Sequence, residues 1–207
     1  MSDLSFRFLH AADFQLDLPL HGVLDVPESI SGWLIDAPYT AAERVFDTAI
    51  QERVGLVVLA GNLLDLIAPH PRSLCFLREQ FERLAGHAIP VCWAGSLTDS
   101  AVHWPTSISL PETVHHFSAT TVDTISLEKQ LKFPLRVIGR SGDEGAEIRA
   151  TDFFAEAGGS FSIALTCGRA EGPGLSAQPI DYWALGGRGD RKTLLTEPRT
   201  AHYPGTP

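Results

Sequence analysis

Five consecutive apolar residues, Leu56-Val57-Val58-Leu59-Ala60, stop abruptly at Gly61. A run with no polar alternation reads as a strand covered on both faces, which is characteristic of parallel sheets flanked by helices. The flanking segments fit that architecture. Phe6 to His10 reads as an earlier strand leading to Asp13, and Ile89 to Ala94 as a later one ending at Gly95. Between the first two strands, Thr40 and Glu43 have the spacing of a capping box, with Ala41, Val45, Ala49 and Ile50 on one helical face. Between the next two, Leu74, Leu77, Phe81 and Leu84 recur every three or four residues, and Gly86 is placed to stop the helix. Parallel strands joined by crossover helices put any ligand chemistry in the loops at their carboxyl ends.

The second half is richer in strands. Val114–Phe117, Thr120–Ser126, Leu135–Gly139, Phe161–Cys167, Tyr182–Gly186 and Thr193–Leu195 read as strands, and a helix is expected near Ala146–Ala157, stopping at Gly158-Gly159. There is no internal repeat, low-complexity tract or long linker, so residues 1–207 are read as one α/β domain.

Charge narrows the function classes. Sixteen Lys and Arg against 25 Asp and Glu give a net charge of −9, which opposes direct binding to nucleic-acid phosphates. Cys75, Cys92 and Cys167 lie in apolar segments without metal-type spacing and are expected to be buried, reduced thiols. No leader-like N-terminus and no apolar run of membrane-spanning length is present, so the expectation is a cytoplasmic protein with no membrane partner.

The strand ends carry a more specific pattern. Phe8-Leu9-His10-Ala11-Ala12-Asp13-Phe14-Gln15-Leu16-Asp17 resembles the opening motif of the calcineurin-like metallophosphoesterases, in the FLHAADxHLD form of SbcD-type DNA-repair exonucleases. Further blocks follow in the family's order. Leu59 to Asp65 is similar to LAGDLxD, Ile89 to Gly95 to the strand before GNHD, Ile180 to Gly186 to the strand before GHxH, and Tyr203-Pro204-Gly205-Thr206 to a YPGS-like turn. The resemblance implies a four-layer α/β/β/α sandwich with a dinuclear metal site at the strand ends. It also implies a closing strand and a cap beyond Pro207, so the chain is expected to be a shortened form or to lack that cap.

In the family, seven Asp, Asn and His ligands hold two divalent cations, and the His of GNHD acts on the phosphate ester. Carried over position by position, only Asp13 is kept. Gln15 stands for the His of DxH, Asn62 for the bridging Asp, and Ser96 and Leu97 for the Asn and His of GNHD. Cys167 stands for a later His, and Gly187 and Gly189 for the pair in GHxH. Two dications about 3.7 Å apart repel by roughly 18 kcal/mol at an effective dielectric of about 20. One carboxylate cannot offset that, so neither a catalytic residue nor a resident metal is expected. Asp13 and Asn62 with water could at most hold a single Mg²⁺ weakly.

The resemblance therefore points to a degenerate SbcD-like domain acting as a scaffold or binding module, with an SbcC-like ATPase or an active paralogue as partner. The alternative is a metal-dependent phosphoesterase or exonuclease that uses Mn or Mg at a depleted or relocated site. A third reading takes Arg188 and Arg191, with Lys192, as an anion-binding cluster beside the vacated loop. Of the remaining candidates, His10 reads as an imidazole hydrogen-bonded beneath the site, Asp65 as a loop brace and Asp99 as a turn residue. Ser96 and Thr98 lack the GxSxG setting of a hydrolase nucleophile.

Overall fold

The computed structural model describes residues 5–18, 26–155 and 159–207. The first sheet contains β1 (Phe8–Ala12), β2 (Leu56–Ala60), β3 (Val91–Ala94) and β4 (Val114–His116), in that spatial order and parallel throughout. The second contains β5 (Asp123–Ser126), β6 (Leu135–Arg140), β7 (Phe161–Cys167), β8 (Tyr182–Gly186), β9 (Lys192–Leu195) and β10 (Thr200–Tyr203). Its order is β5-β6-β7-β8-β10-β9, with only the edge strands β5 and β9 antiparallel.

The alternation of side chains along β2 explains the layering. Val57 and Leu59 face a core made with α1 (Glu28–Gln51) and α2 (Pro71–Gly86), where Phe46, Leu77, Phe81 and Trp93 are buried. Leu56, Val58 and Ala60 face the opposite way and pack against Leu135, Val137, Ile163 and Leu165 of the second sheet. A third cluster around Phe153, Trp183 and Tyr203 covers the far side of that sheet. The result is the expected α/β/β/α order, with an outer layer that is thinner than expected.

That thin layer is one of several departures from the sequence reading. Where a helix was expected over Ala146–Ala157, the described residues form only a 3₁₀ turn, Ala150–Asp152; residues 156–158 lie outside the described set. The cause is a bridge between Glu147 and Arg169, in which Ile148 N–H donates to Arg169 O at 2.7 Å and Arg169 N–H to Ala146 O at 2.8 Å. The remaining helices of the second half are short: α3 (Glu128–Leu131) and α4 (Gly172–Ser176).

α1 starts twelve residues before the expected cap at Thr40 and runs through Pro38. Proline removes a helical N–H and normally marks a boundary, which is why the pattern is legible only after it. In α2, His70 is the cap, its Nδ1 accepting Arg72 N–H at 3.2 Å, and Pro71 occupies the first turn. Gly86 is the last helical residue, and the left-handed turn falls at Ala88 (φ 56°). Cys75, expected to be buried, is exposed on the outer face of α2, whereas Cys92 and Cys167 are buried. Among the described residues, no helix is long and apolar enough to cross a membrane.

Candidate functional site

Loops from both sheets meet at the carboxyl ends of β1, β2, β3, β6, β7 and β8, and Asp13 lies at their centre. Asp13 and Gln15 both have positive φ, 55° and 52°, a conformation that non-glycine residues adopt only when their surroundings fix it. Backbone bonds do so here: Asp13 N–H donates to Ala60 O at 3.2 Å and Gln15 N–H to Asn62 O at 3.0 Å. Asp13 is only 1% exposed. Its Oδ1 accepts the N–H groups of Asn62 and Gly187, and Oδ2 those of Gly187 and Arg188, every distance being 3.0 Å. Burial raises its pKa above the usual carboxylate range, and these N–H donors pull the other way.

Asn62 is the second hub. Its Nδ2 donates to Glu144 Oε1, and its Oδ1 accepts the Thr98 hydroxyl at 3.1 Å. Ser96 Oγ, 3.0 Å from the same Oδ1, also lies 2.7 Å from Asp99 Oδ1. Asp99 is completely buried; its Oδ2 accepts Leu63 N–H at 2.8 Å and its Oδ1 accepts Ser96 N–H. Burial pushes its pKa up to about 7 against the pull of these bonds. The residue read as a turn position therefore ties the β2 loop to the β3 loop.

Sequence reading did not single out Glu144 and gave Asp99 only a place in a turn. Both act through tertiary contacts, and the only local signal was an acidic pair, Asp143-Glu144, in the loop after β6. Burial and the charge of Asp13 raise the Glu144 pKa. Burial, and then the charges of Asp13 and Glu144, push the Cys167 thiol well up.

The other positions divide between the site and the surface. Ser96 and Gly187 are in the network, whereas Leu97 is 51% exposed and faces away. Gly189 is exposed, and a Cβ there would meet only Thr206 Oγ1, at 3.8 Å. At Gly187 (φ 87°) an added Cβ would lie 2.8 Å from Cys167 Sγ and 3.2 Å from Glu144 Cγ, so the backbone and its neighbours fill the place of a side chain. Arg188 binds Asp13 through its backbone, while its guanidinium pairs with Asp190 at 2.8 Å. Arg188 and Lys192 line a cleft of about 620 Å³, together with Arg169 and the carboxylates Glu144, Glu147 and Glu171; Arg191 is not among its lining residues. The expected all-basic cluster is thus a mixed-charge cleft. His10 lies between the sheets, its Nδ1 3.1 Å from Tyr182 OH, and burial lowers its pKa to about 3. Asp65 braces its loop by accepting Ile67 N–H at 2.8 Å.

A dinuclear centre needs anionic and imidazole lone pairs free to converge on two ions. Here the Asp13 oxygens are taken by amide protons and the Asn62 carbonyl by a hydroxyl. Among the described residues, no group of three His, Cys, Asp or Glu side chains could hold a metal ion. The residues present do not fit the two-metal centre.

An α/β sandwich whose loops converge on one polar cluster at the strand ends is the class that fold and site define. No family model matches the chain. It is 30% identical over 221 residues to a Bacillus subtilis (strain 168) protein described as "Uncharacterized metallophosphoesterase YhaO", covering 99% of this chain and 53% of that one. The chain thus spans about half the length of the curated relative it matches. Among solved structures, TT1561 of Thermus thermophilus superposes with a TM-score of 0.56 at 12% identity, over 96% of this chain and 88% of its own. A second superposes with a TM-score of 0.53 at 9% identity, over 96% and 90%. The structural likeness is one of fold.

Proposed function

We propose that this chain is a degenerate, SbcD-like metallophosphoesterase domain that works as a binding or scaffold module without two-metal hydrolysis. The observation that carries this reading is the state of Asp13. Three backbone N–H groups, from the loops after β2 and β8, occupy both of its carboxylate oxygens. Protein donors thereby tie together the two sheets, the task that bound ions perform in a dinuclear site, and Asn62 extends the tie to β3 and β6 through Thr98 and Glu144. By family analogy, its partner is an SbcC-like ATPase or an active paralogue in the cytoplasm.

A second reading draws on Glu144, a carboxylate that joins the site and is absent from the family motifs quoted above. It is the carboxylate that a relocated metal site would use. Incubation with Mn²⁺ and a phosphodiester substrate separates the readings. The binding-module reading expects no turnover above that of Asp13→Ala; turnover that Asp13→Ala or Glu144→Gln abolishes would establish a hydrolase.

A further inference from the structure

The mixed-charge cleft of about 620 Å³ opens at the carboxyl ends of β7 and β8, over Leu194 and Tyr203 of the second sheet's outer face. None of its lining residues adjoins a segment outside the described set. Arg188 is paired with Asp190, which is not a lining residue, and Asn62 holds Glu144. Arg169, Lys192, Glu147 and Glu171 are the other charged groups of the lining. Among the described residues, no ion pair joins any two of these six side chains. Charges of both signs face one space and are kept apart.

The local backbone explains the separation. Arg169 is pinned in its bridge to Glu147, with its N–H and its carbonyl both bonded across that bridge. Gly168 before it is held by Gly186 O and by the Tyr203 hydroxyl, which donates to Gly168 O at 2.8 Å. Glu171 is extended (φ −118°, ψ 142°) just ahead of α4. Side chains two residues apart on extended backbone share a face, with about 7 Å between their Cα atoms. Arg169 and Glu171 therefore stand on one wall of the cleft, on a support that is already fixed, without the one-turn spacing that lets opposite charges pair on a helix. A ligand with a single charge meets as many like charges here as opposite ones. A ligand with both charges at that spacing meets an opposite charge at each end.

We infer that this cleft binds a short linear zwitterion, a carboxylate and an ammonium at the two ends of an apolar chain. The Arg169 guanidinium takes the carboxylate, the Glu171 carboxylate takes the ammonium, and the apolar chain lies against Leu194. The inference does not depend on how the Asp13 site is read, because neither side chain is bonded into that network.

Four probes test it, each titrated by calorimetry against the full chain at low ionic strength: 6-aminohexanoate, hexanoate, n-hexylammonium and glycine. The expected result is binding of 6-aminohexanoate, with the other three weaker by about tenfold or more. Hexanoate and hexylammonium each lack one charge, and the charges of glycine lie too close together. Arg169→Gln and Glu171→Gln should each weaken 6-aminohexanoate binding by about tenfold or more, as loss of one charged partner does. Both side chains are exposed, so the variants should keep the wild-type Tm, and either one decides the matter if the other fails to fold. Equal binding of any of the other probes, unchanged affinity in a folded variant, or no binding of 6-aminohexanoate would overturn the proposal. None of these readouts involves phosphodiester turnover, so this proposal and the reading of the Asp13 site fail independently.

Discussion

Asp13 and Asp17 sit four residues apart on one loop, the first buried and the second half-buried, yet their surroundings treat them in opposite ways. Asp13 receives three backbone N–H donors and has no oxygen to spare. Asp17 accepts the Ser73 hydroxyl at 2.8 Å and Asp65 N–H at 3.3 Å on Oδ2, with the backbone of His70 also bonded to it, and its Oδ1 has no partner among the described residues. Burial raises the pKa of both, so desolvation does not distinguish them. The reach of the donors does: those of Asp13 come from the loops of both sheets, those of Asp17 from the loop after β2 and the start of α2. The first carboxylate is a pin between two sheets, and the second braces the β1 loop against α2.

The largest effect that sharpens this contrast is expected from Asp13→Ala. It leaves three N–H groups at the junction of the sheets without an acceptor and should cost about 3–5 kcal/mol in urea-unfolding free energy. Gly187→His comes next, at about 2–4 kcal/mol, because its φ of 87° is left-handed and its Cβ would press on Cys167 Sγ. Asn62→Asp should cost about 2 kcal/mol near neutral pH, since it trades a donor to Glu144 for a third charge beside Asp13 and Glu144. That penalty should shrink on acidification; a stabilised Asn62→Asp would break the picture of Asn62 as a neutral substitute.

Asp99 gives a pH test. Its pKa is raised in the folded state to about 7, so the folded protein holds that proton more tightly than the unfolded chain. Its contribution is fully present below the unfolded pKa of about 4 and fades as pH rises through about 7. The Tm difference between wild type and Asp99→Asn should therefore narrow from pH 5 to pH 8, about the window that linkage sets; a constant difference would show that Asp99 titrates normally. The smallest effect is expected from Asp17→Asn, within about 0.5 kcal/mol of wild type, because an amide oxygen can still accept the Ser73 hydroxyl and Asp65 N–H. A loss as large as that of Asp13→Ala would erase the distinction between the two residues.

How much of this was legible in the sequence depended on whether the cause was local. β7 and β8 occupy the residues expected, and the unbroken apolar run of β2 announced a strand covered on both faces. The start of α1 was hidden by Pro38, which a local reading treats as a boundary. The helix expected after β6 was lost because Glu147 pairs across to Arg169, a contact that no periodicity encodes. Of the seven positions read against family motifs, five, Asp13, Gln15, Asn62, Ser96 and Gly187, are linked by hydrogen bonds at the strand ends. Glu144 stayed invisible because its partner Asn62 is 82 residues away, and Asp99 was read only as a turn residue because its bond to Leu63 spans 36 residues. β10 was passed over because its four residues, Thr200–Tyr203, are too few and too mixed in polarity to carry a period.

The central claim is that hydrogen bonds centred on Asp13 and Asn62 hold together what two ions would otherwise hold. Elemental analysis of protein purified without chelator, paired with melting curves in EDTA and in Mn²⁺, tests it most directly. The account predicts Mn, Fe and Zn far below one equivalent per chain and a Tm that neither treatment changes. Two bound equivalents per chain, with a Tm that falls on chelation, would contradict it.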